Sequence, residues 1–330
     1  MKDLYERLGE RGFDSHFLKA TVLPDWWDDK LAAVPGNRAL AEAAVSKLLG
    51  FRIQHLRDPK TILPETPVGN FRLKRDKDVS VTDVRPSLFV VERLSKIIVP
   101  MLTPALPAFN GNIRAAQIRK QILVMSAGVD LSALVTFSWS AGVVVIHVDP
   151  GRLPKESKKF AGVAMYCGQT PVVVLASKKD GPPWLAFHLA HELGHLYLGH
   201  VKPGDPPLVD ADIEKADNDE QEVQADEFAN VLLTGMPKPS LSSPYRLTGV
   251  KLAVEASKWG AQHGVDPGTV ALVYARTRKM WGPGQIALAR LGYATGAHGI
   301  IGKELSKRLD LNNEMESAAR FLSCLTLTCN

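Results

Sequence analysis

The stretch "AFHLAHELGHLYLGH", residues 186–200, places four histidines and one glutamate among residues that are mostly apolar. Apolar residues on nearly every side predict a helix that is buried in the core. Imidazole and carboxylate groups in a core need partners, because leaving them unpaired costs free energy. A metal ion is one such partner. The stretch therefore predicts both the central helix of the fold and a candidate metal site.

The core of this stretch is the pattern H-E-x-x-H, formed by His191, Glu192 and His195. Residues four apart lie on one face of a helix, so the two histidines can reach one ion from adjacent turns. Glu192 lies about 100° round the helix, beside the ion. Zinc peptidases use a glutamate in this place as general base. The alternative is a helix with exposed polar residues, in which the spacing arises by chance.

A second helix offers a third ligand. In "EVQADEFANVLL", residues 222–233, Glu222 begins an apolar stripe that continues through Ala225, Ala229 and Leu232 at helical spacing. A carboxylate at the buried edge of a helix is unfavourable unless it is paired or binds a metal. Two histidines and a glutamate, with the fourth position open, are typical of a catalytic zinc site.

His200 is the competing third ligand. Its spacing from His195 turns it away from the face that carries the two predicted ligands, which favours a loop or supporting role. His188 lies one turn before His191 and is expected to be a core or supporting histidine. A peptidase also needs a hydrogen-bond donor for the oxyanion. The sequence offers four candidates for that role: Tyr197, His188, Tyr245 and Arg246.

Taken together, "WLAFHLAHELGHLYLGH" and "EVQADEFANVLL" resemble the two motifs of the ImmA/IrrE metallopeptidases, H-E-x-G-H-x-x-x-x-H and E-x-x-A-[ND]-x-F-A-x-x-L-L. The small predicted sheet before them and "HGVDPGTVALVYARTRKMW" after them fit as well. The likeness covers roughly residues 130–285. It implies a zincin-like fold of the gluzincin type. Departures from the family pattern are His188 and "LTGMP" after the second motif, and neither touches a proposed ligand.

The resemblance implies a role for each motif residue. His191, His195 and Glu222 would bind one catalytic Zn²⁺, with Mn²⁺ or Fe²⁺ as alternatives, and Glu192 would be the general base. Asp226 would orient a ligand. The implied activity is a metallo-endopeptidase that cuts a helix-turn-helix repressor and so switches on mobile-element, stress or defence genes. A transcriptional regulator or toxin–antitoxin component, with a structural or sensory metal site, remains the alternative.

The wider chain predicts a mostly helical α+β fold. Helical regions flank the peptidase region, which gives the division 1–70, 71–245 and 246–330. Strands are expected at "VVVIHV", "FAGVAMYCG" and "PVVVLAS", the last two pairing as a hairpin. "KPGDPPLVDADIEKADNDEQE", residues 202–222, is acidic and contains prolines, and is expected to be a solvated loop. Residues 57–78 are expected to be a linker.

The N-terminal region, residues 1–70, is either a degenerate helix-turn-helix domain or a helical adaptor. Its acidic, aromatic "LPDWWDDKLAA" argues against a recognition helix, so direct DNA binding is a weak expectation. The net charge of +5 permits contact with nucleic acid without indicating it.

Localisation and membrane association are predicted from composition. Three cysteines and a charged N-terminus predict a cytoplasmic protein. The uncharged run 131–148 is expected to be a helix, a turn and a strand rather than a membrane span. Cys167 is a candidate thiolate switch at the metal, although a buried structural residue is the favoured interpretation.

Overall fold

The computed structural model describes residues 1–64, 72–74, 81–155, 160–210, 219–241, 243, 245–310 and 316–326. Within them lie fourteen α-helices: α1 (Lys2–Gly9), α2 (Ser15–Phe17), α3 (Pro35–Leu49), α4 (Ile53–Arg57), α5 (Val81–Ile98), α6 (Ala115–Leu123), α7 (Leu131–Ser140), α8 (Pro182–Tyr197), α9 (Glu220–Thr234), α10 (Gly249–His263), α11 (Pro267–Arg278), α12 (Trp281–Arg290), α13 (Ala297–Ser306) and α14 (Glu316–Thr326). Shorter turns of π or 3₁₀ helix lie at Leu18–Val22, Asp29–Ala33 and Val99–Met101.

One mixed sheet of five strands lies within the described residues. Its strands are β1 (Arg72–Lys74), β2 (Val144–His147), β3 (Gly162–Cys167), β4 (Thr170–Leu175) and β5 (Leu208–Asp210). Their order across the sheet is β1-β5-β3-β4-β2. β3 pairs antiparallel with both β4 and β5, whereas β2–β4 and β1–β5 are parallel. The mostly helical α+β fold predicted from the sequence is confirmed.

The three predicted strands and their hairpin are also confirmed. β3 and β4 are joined by a two-residue turn in which Gly168 has φ +63°, a conformation that glycine adopts without strain. Residues 131–148 form α7, a turn and β2, as expected. None of the described helices is both long and apolar enough to cross a membrane.

Two strands were not predicted. β1 lies in the expected linker, and β5 lies in the stretch that was expected to be a solvated loop. For residues 208–210 that expectation is wrong: Leu208, Val209 and Asp210 are all buried. Leu208 and Val209 are only two apolar residues, and the prolines and acidic residues around them dominate a prediction based on composition. The rest of the acidic stretch, residues 211–218, lies outside the described residues.

α8 lies against the sheet on one side and against α9 on the other. The two helices approach each other closely at Gly194. A Cβ atom there would lie 3.1 Å from the Cα of Ala225 and 3.3 Å from the Cβ of Phe228. Small residues on both helices therefore let the backbones approach closely. Glu222 lies one turn before Ala225, so the same contact brings its carboxylate to the histidines of α8.

The N-terminal helices share a hydrophobic core with the sheet, α5, α7, α8, α13 and α14. Phe13 contacts Phe17, Phe51 and Phe89, which joins three segments of the first ninety residues. A second cluster holds α10, α11 and α12 together, and Trp184 packs against both clusters. The division into three regions stays a prediction.

Several basic residues of the N-terminal region bind the protein's own backbone. The Arg7 guanidinium donates to the carbonyl groups of His55 and Leu56, at 2.8 Å each. Arg11 donates to the carbonyl of Leu63 at 2.8 Å. These contacts hold α1 against α4 and the segment after it. A DNA-binding surface needs cationic side chains that are free to meet phosphate groups, and these two arginines bind backbone carbonyls instead.

Arg119 of α6 joins the C-terminal ends of two helices. Its buried guanidinium donates to the carbonyls of Leu233, at the end of α9, and Gly264, after α10, at 2.7 Å each. Carbonyl groups at helix ends lack partners within the helix and carry partial negative charge. Arg119 thereby fixes the C-terminal end of α9, the helix that carries Glu222 in its first turn.

We expect Arg119→Met to lower the free energy of unfolding by about 3 kcal/mol, because it leaves buried carbonyl groups without donors. Urea denaturation measures the change. Lys120→Met, at the exposed neighbouring position, is the matched control and should change stability by less than about 0.5 kcal/mol. Equal effects of the two substitutions would contradict this role for Arg119.

Candidate metal centre

α8 carries the motif residues inside the core. Two prolines, Pro182 and Pro183, begin the helix, where their missing N–H groups cost nothing. Gly199, with φ +71°, follows its end. His191, Glu192 and His195 are all at most 1% exposed. The burial predicted from the apolar pattern is therefore present, and these groups must find their partners inside the protein.

The two imidazoles converge through their Nε2 atoms. His191 Nε2 lies 3.1 Å from His195 Nε2. The Glu222 carboxylate approaches the same point from α9, with Oε2 3.2 Å from His191 Nε2 and Oε1 3.4 Å from His195 Nε2. The three residues that the sequence proposed as ligands thus meet at one place.

A fourth side chain, from Asp210 at the end of β5, also belongs to this cluster. Its Oδ2 lies 3.0 Å from His191 Nε2 and 3.8 Å from His195 Nε2. One donor atom from each of the four residues lies within 4.8 Å of the others, so the group could hold a metal ion. Sequence reasoning missed Asp210. The available signal was an apolar pair directly before an aspartate, "LVD", between prolines and acidic residues.

The spacing of these donors fits a small divalent cation. Four ligands at 2.0–2.1 Å in a tetrahedron are separated by about 3.3 Å. The contacts among His191, His195 and Glu222 run from 3.1 to 3.4 Å. Two Nε2 atoms this close cannot both carry a proton without repulsion, whereas two neutral imidazoles can share one ion. The donor set, nitrogen and carboxylate oxygen, is one that zinc, manganese and iron accept.

The other nitrogen of His191 is held by Asp226, whose Oδ1 lies 3.0 Å from His191 Nδ1. The second oxygen of Asp226 accepts from Arg276 at 2.9 Å. Burial would raise the pKa of Asp226, but these two partners hold it below its usual range. An ionised Asp226 keeps the proton of His191 on Nδ1 and leaves Nε2 free to bind a metal.

A second relay orients His195. Its Nδ1 lies 2.9 Å from His200 Nδ1, and His200 Nε2 lies 3.0 Å from Gln224 Oε1. The Gln224 oxygen can only accept, so His200 donates through Nε2 and accepts through Nδ1. His195 then donates through Nδ1, which again leaves Nε2 unprotonated. His200 is not among the four donors of the cluster, in line with the supporting role favoured by its spacing.

The electrostatics of the centre favour a cation. Burial alone would lower the pKa of His191, but Asp210, Asp226 and Glu222 raise it well above its ordinary value. Burial would raise the pKa of Asp210, yet His191 and His195 lower it to about 2. The carboxylates thus outweigh the cost of burying positive charge. A divalent ion satisfies the same carboxylates while leaving the imidazoles neutral.

Glu192 lies beside the cluster and is completely buried. Burial, followed by the nearby Asp210 carboxylate, raises its pKa well above the usual range. The Glu192 carboxyl group faces the Asp210 carboxylate closely enough for the two to share a proton. The backbone of β3 packs directly on this carboxylate, because a Cβ atom at Gly162 would lie 2.0 Å from Glu192 Oε1. Glycine is therefore the residue that fits at position 162.

The remaining candidates lie around the centre or away from it. His188 is buried and its ring contacts Phe187. Tyr197 is buried between Phe109 and Phe228. Tyr245 and Arg246 are exposed. The roles of these four residues as oxyanion donors stay predictions.

Cys167 is at the far end of β3 from the centre. Five residues separate it from Gly162, which packs on Glu192. An extended strand covers about 16 Å in that length. Burial raises the pKa of the Cys167 thiol, which disfavours the thiolate. This position and the raised pKa favour the structural interpretation of Cys167, and the thiolate switch stays a prediction.

A cavity of about 340 Å³ lies beside the centre, lined mainly by α8, α9 and α11. Trp184, Phe187 and Trp281 supply aromatic walls, and His188, Asp226 and Arg276 supply polar groups. None of the four donor residues lines this cavity. The cavity is therefore next to Asp226 and Arg276, which orient His191, and it does not extend to the point where the two Nε2 atoms meet.

Residues 184–263 match the model of a protein family described as Peptidase U49. The matched segment contains His191, Glu192, His195, Asp210 and Glu222. A search of the curated proteins finds no match to the chain. The match supports a peptidase family, and the finer resemblance to the ImmA/IrrE metallopeptidases stays a prediction.

We expect Asp226→Asn to weaken divalent metal binding by about tenfold, because a neutral amide no longer fixes the proton of His191 on Nδ1. Competition with a chromophoric chelator for Zn²⁺ measures the affinity. Glu227→Gln, an exposed neighbour on the same helix, is the matched control and should bind as the unchanged chain does. An unchanged affinity in Asp226→Asn would contradict the orienting role.

Proposed function

We propose that this protein is a metal-dependent endopeptidase that cuts a protein substrate. The observation that carries the proposal is the convergence of His191 Nε2, His195 Nε2 and the Glu222 carboxylate beside a buried Glu192. The match of residues 184–263 to a peptidase family supports it independently of this geometry. In this proposal the first three residues are metal ligands and Glu192 is the catalytic residue.

Zinc is the proposed metal, because two histidines and one glutamate are a common ligand set of catalytic zinc. Manganese or iron could use the same donors. When bound, the ion supplies the Lewis acidity that polarises the scissile carbonyl and acidifies water. The protein's part is to hold both imidazoles neutral, with Asp226 and His200 fixing their Nδ1 protons.

Glu192 moves the protons of the reaction. It takes one from the attacking water and delivers it to the leaving amine, so that peptide cleavage is balanced by addition of one water. Its raised pKa, caused first by burial and then by the Asp210 carboxylate, makes it a stronger base than an exposed glutamate. A strong base suits this task, because proton transfer from water is most efficient when donor and acceptor pKa values are close.

The proposed substrate is a helix-turn-helix repressor, the partner that the ImmA/IrrE resemblance implies. Cleavage would switch on genes of a mobile element, a stress response or a defence system. The surface of residues 1–70 is proposed to hold this partner rather than DNA, since Arg7 and Arg11 bind the protein's own backbone. A gel-shift titration with the full chain tests for direct DNA binding.

One observation favours a second function. Asp210 supplies a fourth protein donor, and structural metal sites are closed by four protein ligands. The alternative is therefore a regulator whose metal site senses or stabilises and never cuts. A fully buried glutamate that lies beside the four donors and is not one of them has no use in a purely structural site, which is why the peptidase is preferred.

We expect Glu192→Gln to keep the metal and to lower peptide hydrolysis by roughly 100- to 10,000-fold, because the amide cannot accept a proton. Metal content is measured by atomic emission, and hydrolysis by mass spectrometry of casein and of candidate repressors encoded beside the gene. Glu227→Gln should leave both unchanged. Equal hydrolysis by Glu192→Gln and the unchanged chain would favour the regulator.

A further inference from the structure

The four-donor cluster raises a question about access. A catalytic metal site keeps one position for water or substrate, and here a carboxylate of the protein stands in it. Three of the four donors and the base have very low exposure: His191, Glu192, His195 and Asp210 are each at most 2% exposed. In this arrangement the base and three of the donors are shielded from bulk solvent.

Asp210 occupies the place that an attacking water would need. Its Oδ2 lies 3.0 Å from His191 Nε2 and 3.8 Å from His195 Nε2. Asp210 is also beside the base, because it pairs with Gly162, the residue whose backbone packs directly on the Glu192 carboxylate. A group that neighbours both the metal donors and the base blocks the space that the general base must share with water.

Asp210 is also held differently from the supporting carboxylate of Asp226. Asp226 accepts from Arg276 as well as from His191. For Asp210, no described hydroxyl, amide or guanidinium donates to either carboxylate oxygen, and its side-chain neighbours are the two imidazoles and the buried carboxyl group of Glu192. Permanent metal ligands are usually fixed by hydrogen bonds from a surrounding shell of residues. Among the described residues, Asp210 has no donor comparable to the Arg276 guanidinium that fixes Asp226.

The elements that carry the donors differ in the same way. His191, His195 and Glu222 lie on α8 and α9, helices of 16 and 15 residues. Asp210 ends β5, a buried strand of three residues that lies between β1 and β3 and pairs with both. Three of the donors are therefore fixed by long packed helices, and the fourth is fixed by the pairing of one short strand.

We propose that Asp210 is a displaceable fourth metal ligand and that β5 is an internal inhibitory segment, which holds the enzyme latent until the strand leaves β3. This inference rests on the proposed peptidase function, because latency has meaning only for a site that can cut. With β5 in place, all four ligands of the metal come from the protein, and Glu192 is kept from the water that it would deprotonate. With β5 detached, the metal keeps His191, His195 and Glu222, and the freed position faces Glu192.

The first test removes the carboxylate and measures coordination rather than activity. Asp210→Ala, Glu222→Ala and the unchanged chain are loaded with Mn²⁺, and water-proton relaxation reports exchangeable water on the bound ion. Because Mn²⁺ prefers six ligands, we expect exchangeable inner-sphere water in both proteins, with at least one more such water in Asp210→Ala than in the unchanged chain. The affinity for Mn²⁺ should fall by no more than about tenfold in Asp210→Ala, and by about 100-fold or more in Glu222→Ala.

The control is Asp205→Asn, which removes an acidic group in the loop before β5. Its carboxylate accepts from the Lys202 N–H and is not part of the donor cluster. Relaxation and affinity should match those of the unchanged chain. Circular dichroism and thermal melting establish that each variant is folded, and Asp210→Asn, which keeps the side-chain shape, replaces the alanine variant if that one does not fold.

A second test leaves Asp210 intact and weakens the strand. Val209→Thr places a hydroxyl in the buried pair that Val209 makes with Val163, and should detach β5 in part of the population. Val173→Thr is the matched control, since Val173 is equally buried in β4 and does not pair with β5. We expect more exchangeable water on Mn²⁺ in the first variant than in the unchanged chain, and no increase in the second.

Hydrolysis of a mixture of unstructured fluorescent peptides completes the design. Removal of the Asp210 ligand should raise the rate of hydrolysis by the reciprocal of the fraction of molecules in which β5 is detached. The increase is about 100-fold if β5 is detached in one molecule in a hundred. Equal numbers of exchangeable waters on the ion in the unchanged chain and in Asp210→Ala, or a loss of affinity in Asp210→Ala as large as in Glu222→Ala, would overturn the inhibitory role of β5 while leaving the peptidase intact. Opening of the site without any hydrolysis would support Asp210 as a displaceable ligand and would count against both the peptidase and latency. Failure of the unchanged chain to bind either Zn²⁺ or Mn²⁺ would overturn both proposals.

Discussion

The contact between Gly194 of α8 and Ala225 of α9 is the constraint on which the metal centre depends. A Cβ atom at Gly194 would lie 3.1 Å from the Ala225 backbone, so a larger residue would push the helices apart. The Glu222 carboxylate now lies 3.2 and 3.4 Å from the two imidazoles. A shift of one ångström would remove it from the range in which one ion can bind all three groups. Arg119 fixes the C-terminal end of the same helix, so the position of α9 also depends on its contacts with α6 and with the residue after α10.

Burial gives this contact its chemical consequence. A core can hold ionisable side chains only when their charges balance, and here two carboxylates face two imidazoles at the convergence point. Without a cation, the balance requires protonated histidine, which is why the pKa of His191 is raised despite its burial. Asp226 and His200 fix the remaining imidazole protons on the side away from that point. The geometry and the charge distribution therefore both favour a divalent cation at the same place.

The sequence predicted the parts of this centre that depend on periodicity. His191, Glu192 and His195 follow from helical spacing, and Glu222 follows from the apolar stripe of its own helix. The hairpin of β3 and β4 follows from two runs of β-branched residues separated by a turn. Asp210 could not be predicted this way, since three residues are too few to show a period and their neighbours are acidic and proline-rich. Its position depends on pairing with β3, a contact between segments more than forty residues apart in the chain.

This difference in predictability has a physical counterpart in the structure. Residues that a local pattern specifies lie on elements whose own hydrogen bonds and packing hold them in place, as α8 and α9 do. Asp210 is placed by pairing between distant segments, through three residues of β3 and three of β1. Such pairing costs chain entropy that few contacts offset, so short strands are among the first elements to open in a native protein. The donor that sequence reasoning missed is thus the donor carried by the shortest element, and Glu192, the neighbouring group, is the one on which hydrolysis would depend.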